Sequence, residues 1–280
     1  MKEKLMQGVF ALTACLSIVA VVLICLFLLG NGIPTMRQIG IGEFLLGMTW
    51  SPTRGYYGIF PMIIASLFVT VGAILVGVPI GILCALFLAQ YCPKGLYRPL
   101  KAAVGLLAGI PSIVYGFFGL VVLVPLLQEL LGGSGKGMLT ASVLLGIMIL
   151  PTVIQISESA LQAVPKSYYE GSVALGADHE RSAFSAVLPA ARSGILAGVI
   201  LGIGRAVGET MAVVMVAGNQ PLLPEKLTHG VRTLTANIVL EMGYAADLHR
   251  EALIACGVVL FVFILLINLC FSAIKGRVKP

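Results

Sequence analysis

Residues 167–219 read SYYEGSVALGADHERSAFSAVLPAARSGILAGVILGIGRAVGETMAVVMVAGN. A polar, small-residue segment runs up to Pro189. A glycine-rich apolar segment follows, and it carries two charges, Arg205 and Glu209, far from either end. Arg205 lies 13 residues past Arg192, roughly 20 Å along a helix, which places it near the centre of a bilayer. A charge at that depth costs at least about 2.5 kcal/mol on insertion scales and by default marks a functional site. The i, i+4 spacing lets the two side chains meet, so Arg205 and Glu209 are expected to pair. They would either pin helices together or line a substrate route. The stretch predicts a protein that moves a solute across a membrane.

Working outward, the composition agrees. The chain has 280 residues, 59% hydrophobic and 11% charged, against about 25% charged in soluble domains. No charge occurs between Lys4 and Arg37, Arg54 and Lys94, Lys101 and Glu129, or Glu251 and Lys275. Each gap holds an apolar helix of about 20 residues, enough to span the hydrocarbon core. The alternating ten-residue strands of an outer-membrane barrel are absent. The fold class is an all-α polytopic membrane protein with six transmembrane helices.

The expected spans are Val9 to Leu29, a stretch within Pro61 to Tyr91, one within Ala102 to Leu127, about Met138 to Ser157, about Ser193 to Ala217, and about Ala252 to Ile274. The first is too long for a signal-peptide core and lacks a small-residue cleavage site. Residues 31–58 are expected as a polar loop with interfacial aromatics Trp50, Tyr56 and Tyr57. Residues 92–101 are expected as a short basic turn, 158–191 as an amphipathic connector, and 218–250 as the longest polar loop. The domain reading is a first helix and outer loop at 1–60, a permease domain at 61–274 with a coupling segment at 165–190, and a basic tail at 275–280. Six spans put both termini on one side. The termini, the 92–101 turn and the connector hold eleven Lys and Arg, the opposite loops six. Positive charge prefers the cytoplasm, so both termini and the connector are expected there.

Chemistry of the chain's own is not evident. There is no Walker A motif, nucleophile elbow, zinc-protease motif or dinucleotide fingerprint. The six cysteines form no C-x-x-C pair and five lie in apolar runs, so packing is their expected role and no metal site is expected. His179, His229 and His249 lie in polar segments and are expected to be exposed. No catalytic residue and no bound cofactor is expected in this chain.

Glu170, Gly171, Ser172, Gly176, Ala177, Leu188 and Pro189 carry the most specific signal. Their spacing resembles the E-A-A-x-x-x-G-x(9)-I-x-L-P signature of permease subunits of binding-protein-dependent ABC importers. Gly171 and Ser172 replace Ala-Ala, and Ala186 replaces Ile. The resemblance implies a helix-turn-helix that docks into a groove of an ATPase subunit. The residues fit that shape, since Gly176 suits a helix C-cap with positive φ and Pro189 suits the first turn of a new helix. Gly194, Gly198 and Gly202 form one i, i+4 row, and Gly204 and Gly208 another. Small residues of this kind allow close helix packing in lipid.

The string GRAVGETMAVVMVAGN at 204–219, with IPSIVYGFFGL at 110–120, VRTLTANI at 231–238 and the loop from Phe44 to Pro61, is similar to PstC-type permeases of bacterial phosphate importers. That resemblance implies a type I ABC importer permease fold in a bacterial inner membrane. It implies a PstA-like permease partner, two ATP-binding subunits that use the ATP, and an extracytoplasmic phosphate-binding protein. Arg205 and Glu209 would line the substrate pathway, the guanidinium matching a phosphate oxyanion. Permeases for another oxyanion, such as molybdate or sulfate, share the architecture. A secondary carrier would show midplane sites in both halves, whereas only the fifth span carries a charged pair. A membrane enzyme would need clustered acids or histidines, which the sequence lacks.

Overall fold

The computed structural model describes residues 2–277, with side chains for 6–270. The expected basic tail lies outside the described residues from 278 onward, and its first part continues the last helix. Five helices are long and apolar enough to cross a membrane; the number is six when the bent pair His179–Ala190 and Arg192–Gly208 counts as one span.

The elements in order are α1 (Lys2–Ile39), α2 (Ile41–Leu46), a two-stranded ribbon of β1 (Trp50–Ser51) and β2 (Tyr56–Tyr57), and α3 (Phe60–Leu86). Then come α4 (Lys94–Gly109), α5 (Ser112–Phe118), α6 (Val124–Leu131), α7 (Met138–Gln162), α8 (Lys166–Ala174), α9 (His179–Ser182) and α10 (Leu188–Ala190). The last are α11 (Arg192–Gly208), α12 (Met211–Val216), α13 (Leu234–Glu241) and α14 (Asp247–Arg277). The ribbon is antiparallel, with Trp50 opposite Tyr57.

Five expected readings are corrected. The first helix does not stop near residue 29 but runs to Ile39, because nothing before Gly40, at φ +100, breaks it. The expected turn at 92–101 is the start of a 16-residue amphipathic helix, α4. That helix ends at Ile110, the residue before Pro111, which is extended, as residues preceding proline tend to be. The third span therefore starts at Ser112, not Ala102. Glu158 belongs to α7 rather than to a connector. The 218–250 loop contains α13, capped at its start by Thr233, whose hydroxyl accepts from Ala236 N.

The centre of the bundle is α3 against α7, and glycine makes their approach possible. A Cβ on Gly77 would lie 2.6 Å from the Gly146 carbonyl, and one on Gly72 2.4 Å from Ser142 Oγ. Around this contact Val69, Ala73, Leu144, Leu145, Met148 and Ile149 are buried together with Ala212, Val213 and Val216 of α12. At one end Phe44, Trp50, Ile59, Met62 and Leu253 form a second core. At the other, Leu86, Leu161, Val187, Ile195 and Ile203 form a third. The row Gly194, Gly198, Gly202 lies on α7: added Cβ atoms would meet Ala160, Ile156 and Val153 at 2.4, 3.1 and 3.0 Å. Gly204 and Gly208 face open space instead. One face of α11 is thus packed and the other is free.

Candidate functional site

The coupling stretch folds as two arms. Pro165 precedes α8, and the helix ends where Gly176 adopts φ +88. Gly176 N donates to Val173 O at 2.9 Å and Ala177 N to Ser172 O at 3.2 Å, which satisfies carbonyls left open at a helix end. Asp178 caps α9, its Oδ1 accepting from Arg181 N at 2.7 Å. Ser182 Oγ, fully buried, donates to Ser172 Oγ at 3.1 Å and ties the arms together. Glu170 and Gly171 stay exposed on α8. Leu175 at the turn is 91% exposed, an apolar apex with no cover from its own chain. Pro189 lies in the first turn of α10. Leu188 is half-buried behind it. A groove of about 450 Å³ beside the second arm is lined by Tyr168, Ser185, Pro189, Arg192 and Ser193.

The intramembrane charges are arranged differently from the expected pair. α11 ends at Gly208, Glu209 is extended at φ −70 and ψ 130, and a second helix starts at Met211. The i, i+4 geometry that would have joined Arg205 to Glu209 needs an unbroken helix, and the break removes it. Among the described residues the two form no ion pair. Glu209 Oε1 instead accepts from Thr210 N at 3.1 Å and Ala212 N at 3.2 Å, so it caps α12. Its own carbonyl accepts from Thr235 Oγ1 at 3.2 Å. Arg205 is half-buried and makes no hydrogen bond or ion pair among the described residues. Tyr115 Oη donates to Leu107 O across the Ile110–Pro111 break at 2.8 Å. The break in the fifth span therefore leaves a guanidinium without a hydrogen-bond partner among the described residues, on the open face of α11.

Two polar clusters escaped the sequence reading. Glu241, 7% exposed, accepts from Trp50 Nε1 at 2.8 Å and Arg232 Nη1 at 2.6 Å, and His249 Nε2 lies 2.8 Å from its Oε2. His249 is therefore not an exposed loop residue, and Trp50 and Tyr57 are buried rather than interfacial. His229 is half-buried. His179 is exposed as expected and lies edge-on to Tyr91 and Tyr169. The second cluster centres on Glu158, 1% exposed, which accepts from Tyr97 Oη, Lys101 Nζ and Gln162 Nε2. Trp50, Tyr97 and Lys101 lie 57 to 191 residues from their carboxylates and the other partners four to nine, so spacing along the chain offers no signal for the distant ones. The one available hint is an acid set just inside the apolar run of the fourth span.

A multi-pass helical bundle with a broken, charged fifth span and an exposed helix-turn-helix before it defines a membrane permease. This chain belongs to the family of binding-protein-dependent transport system inner membrane components, whose family model matches residues 77–280. A probable ABC transporter permease protein, YqgH of Bacillus subtilis (strain 168), is 39% identical to it, covering 96% of this chain and 91% of its own. The phosphate transport system permease protein PstC of Mesorhizobium japonicum is 38% identical, covering 80% of this chain and 75% of its own. A probable phosphate transport system permease protein PstC from Methanocaldococcus jannaschii is 34% identical over 89% of this chain and 85% of its own. Among solved structures, a bacterial alginate ABC transporter in complex with a periplasmic protein matches with TM-score 0.63 at 15% identity, over 95% of this chain and 94% of its own. The inward-facing MetNI methionine ABC transporter matches with TM-score 0.60 at 21% identity, over 83% and 100%. At those identities the structures speak to the fold alone, which is that of type I ABC importer permeases.

Proposed function

We propose that this chain is a permease subunit of an ATP-driven importer of inorganic phosphate and forms half of its translocation pathway. The observation that carries the reading is the similarity, over four fifths of the chain or more, to permeases named for phosphate transport. The free guanidinium of Arg205 supports it, since a planar fork of donors suits a phosphate oxyanion. Glu209 is engaged with the start of α12 and, among the described residues, forms no ion pair with Arg205. A guanidinium with no carboxylate partner can exchange donors with a passing anion, and a nearby acid keeps that anion from being trapped.

The partners of this reading are a PstA-like permease, two ATP-binding subunits that hydrolyse the ATP, and an extracytoplasmic phosphate-binding protein. Glu170, Gly171, Ser172, Gly176, Ala177, Leu188 and Pro189 form the coupling segment, with Leu175 as its apolar tip. Both termini and this segment lie in the cytoplasm of a bacterial cell. The permease domain is 61–274, preceded by the first helix and outer loop at 1–60 and followed by the basic tail at 275–280.

The test is phosphate uptake into proteoliposomes carrying the full complex, normalised to assembled complex, with sulfate and molybdate as competitors. Phosphate uptake unaffected by either competitor is expected. Arg205→Leu is expected to assemble normally and to lose uptake by about tenfold or more, the size of removing one charge-assisted contact. Uptake of sulfate or molybdate in preference to phosphate would overturn the substrate. Near-normal uptake by Arg205→Leu would remove Arg205 from the pathway.

A further inference from the structure

Helix α4 is attached to the bundle in a way no other long element is. None of its residues is buried. Leu96, Leu106 and Leu107 are exposed, and Cβ atoms added at Gly95, Gly105 or Gly109 would meet nothing within 4 Å. Pro99 removes one of its backbone hydrogen bonds. Apolar packing therefore holds α4 weakly, and polar contacts near its two ends do the rest.

At its start, a four-residue knot joins it to α7. Glu158 Oε1 accepts from Tyr97 Oη at 2.5 Å, Lys101 Nζ at 3.0 Å and Gln162 Nε2 at 3.0 Å. The Tyr97 hydroxyl in turn accepts from Lys101 at 2.8 Å and Gln162 at 3.0 Å. The tyrosine hydroxyl first, and the carboxylate with it, hold the Lys101 ammonium above the usual lysine range. At its end, Leu107 O accepts from Tyr115 Oη of α5. A carboxylate 1% exposed is costly unless its oxygens are hydrogen-bonded. The knot therefore fixes the position of α4 along α7 while it is made.

The position of the knot matters as much as its strength. Gln162 is the last residue of α7, and α8 begins four residues later at Lys166. The knot therefore sits at the junction between the coupling segment and α7. We propose that Glu158 is the positioning residue of a mechanical link: the knot passes movement of the coupling segment to α4, and α4 passes it through the Leu107–Tyr115 hydrogen bond to α5. The link rests on the coupling role given above to residues 170–189. A bistable contact that two sites both bias is what such transmission requires.

The experiment uses the full complex in proteoliposomes and reads phosphate carried per ATP hydrolysed. Glu158→Gln keeps an acceptor but loses the charge. Tyr97→Phe with Lys101→Met removes two donors without touching α7 or α8. Both are expected to assemble and hydrolyse ATP within about twofold of the unchanged complex, while phosphate per ATP falls about tenfold. With native cysteines replaced, spin labels at Arg98 and Ser159 report the α4–α7 distance. One narrow distance is expected in the unchanged complex with and without trapped ATP, and a broadened one in the variants with ATP trapped. An unchanged ratio with an unchanged distance would overturn the link. So would a parallel loss of uptake and hydrolysis, which means the knot is static support. Leu175→Asp separates the underlying reading. If it leaves the ATP-binding subunit bound and hydrolysis normal, the coupling segment is misassigned, whatever the ratio shows.

Discussion

Glu241 and Glu158 are two buried carboxylates near opposite ends of the bundle, and each gathers three side-chain partners. Glu241 uses both oxygens, and its partners come from the ribbon, the 218–233 loop and α14. Those elements are buried in their own right, with Trp50 7% exposed and Phe44, Ile59 and Leu253 fully buried around it. Glu158 receives all three hydrogen bonds on Oε1, and two of the donors belong to a helix with no buried residue. The Lys101 side chain is 47% exposed, against 16% for Arg232. The same chemistry therefore does different work. Where the tethered element is packed, the carboxylate fastens it; where it is not, the carboxylate is the main attachment, and breaking it frees the element.

The widest separation between the two is expected on truncation. Glu241→Leu leaves Arg232 buried without its carboxylate and should cost about 3 kcal/mol or more, read as a lower unfolding temperature of the purified complex. Glu158→Leu should cost well under half of that, because Lys101 can turn to solvent. Equal losses would erase the distinction.

A smaller contrast comes from deleting one donor on each side. Trp50→Phe removes a buried hydrogen bond to a charged acceptor and is expected to cost about 1.5 kcal/mol. Tyr97→Phe acts on a half-exposed knot that water can enter, and should cost less than about 1 kcal/mol. Parallel thermal unfolding of the two variants checks this, and a larger loss for Tyr97→Phe would invert the comparison.

The smallest effect concerns a third carboxylate. Among the described residues the Glu209 carboxylate bonds only backbone groups within three residues of itself, Thr210 N and Ala212 N, so its structural share is that of a helix cap. Glu209→Gln keeps an acceptor and should be close to neutral for stability, whereas Glu209→Leu should cost about 1 kcal/mol. A loss above about 3 kcal/mol for Glu209→Leu would mean that this carboxylate, like Glu241, balances a buried charge.

These carboxylates also show where sequence reasoning stops. Arg205 and Glu209 are visible in the sequence because they interrupt an apolar run, and their depth follows from counting along a helix. Their supposed contact was read from spacing, and it fails at Gly208, where the helix breaks. Glu158 and Glu241 are the reverse case. Their partners lie up to 191 residues away, and the charges themselves sit at the edges of spans, where acids and bases attract no notice. The packed row Gly194, Gly198, Gly202 and the open row Gly204, Gly208 look alike as sequence, and only the position of α7 tells them apart.

What the chain determines by itself is everything local: apolar runs long enough for a bilayer, the left-handed turn at Gly176, the prolines that start or stop helices, and the motif spacing that marks a permease. These depend on backbone geometry and on transfer of side chains from water to lipid, both set by residues near in sequence. Which charges meet, which glycine face is filled, and which helix hangs on a single carboxylate were decided by the tertiary structure alone. A salt bridge or a close helix contact depends on distance in space, and folding brings together residues that the order of the chain keeps apart.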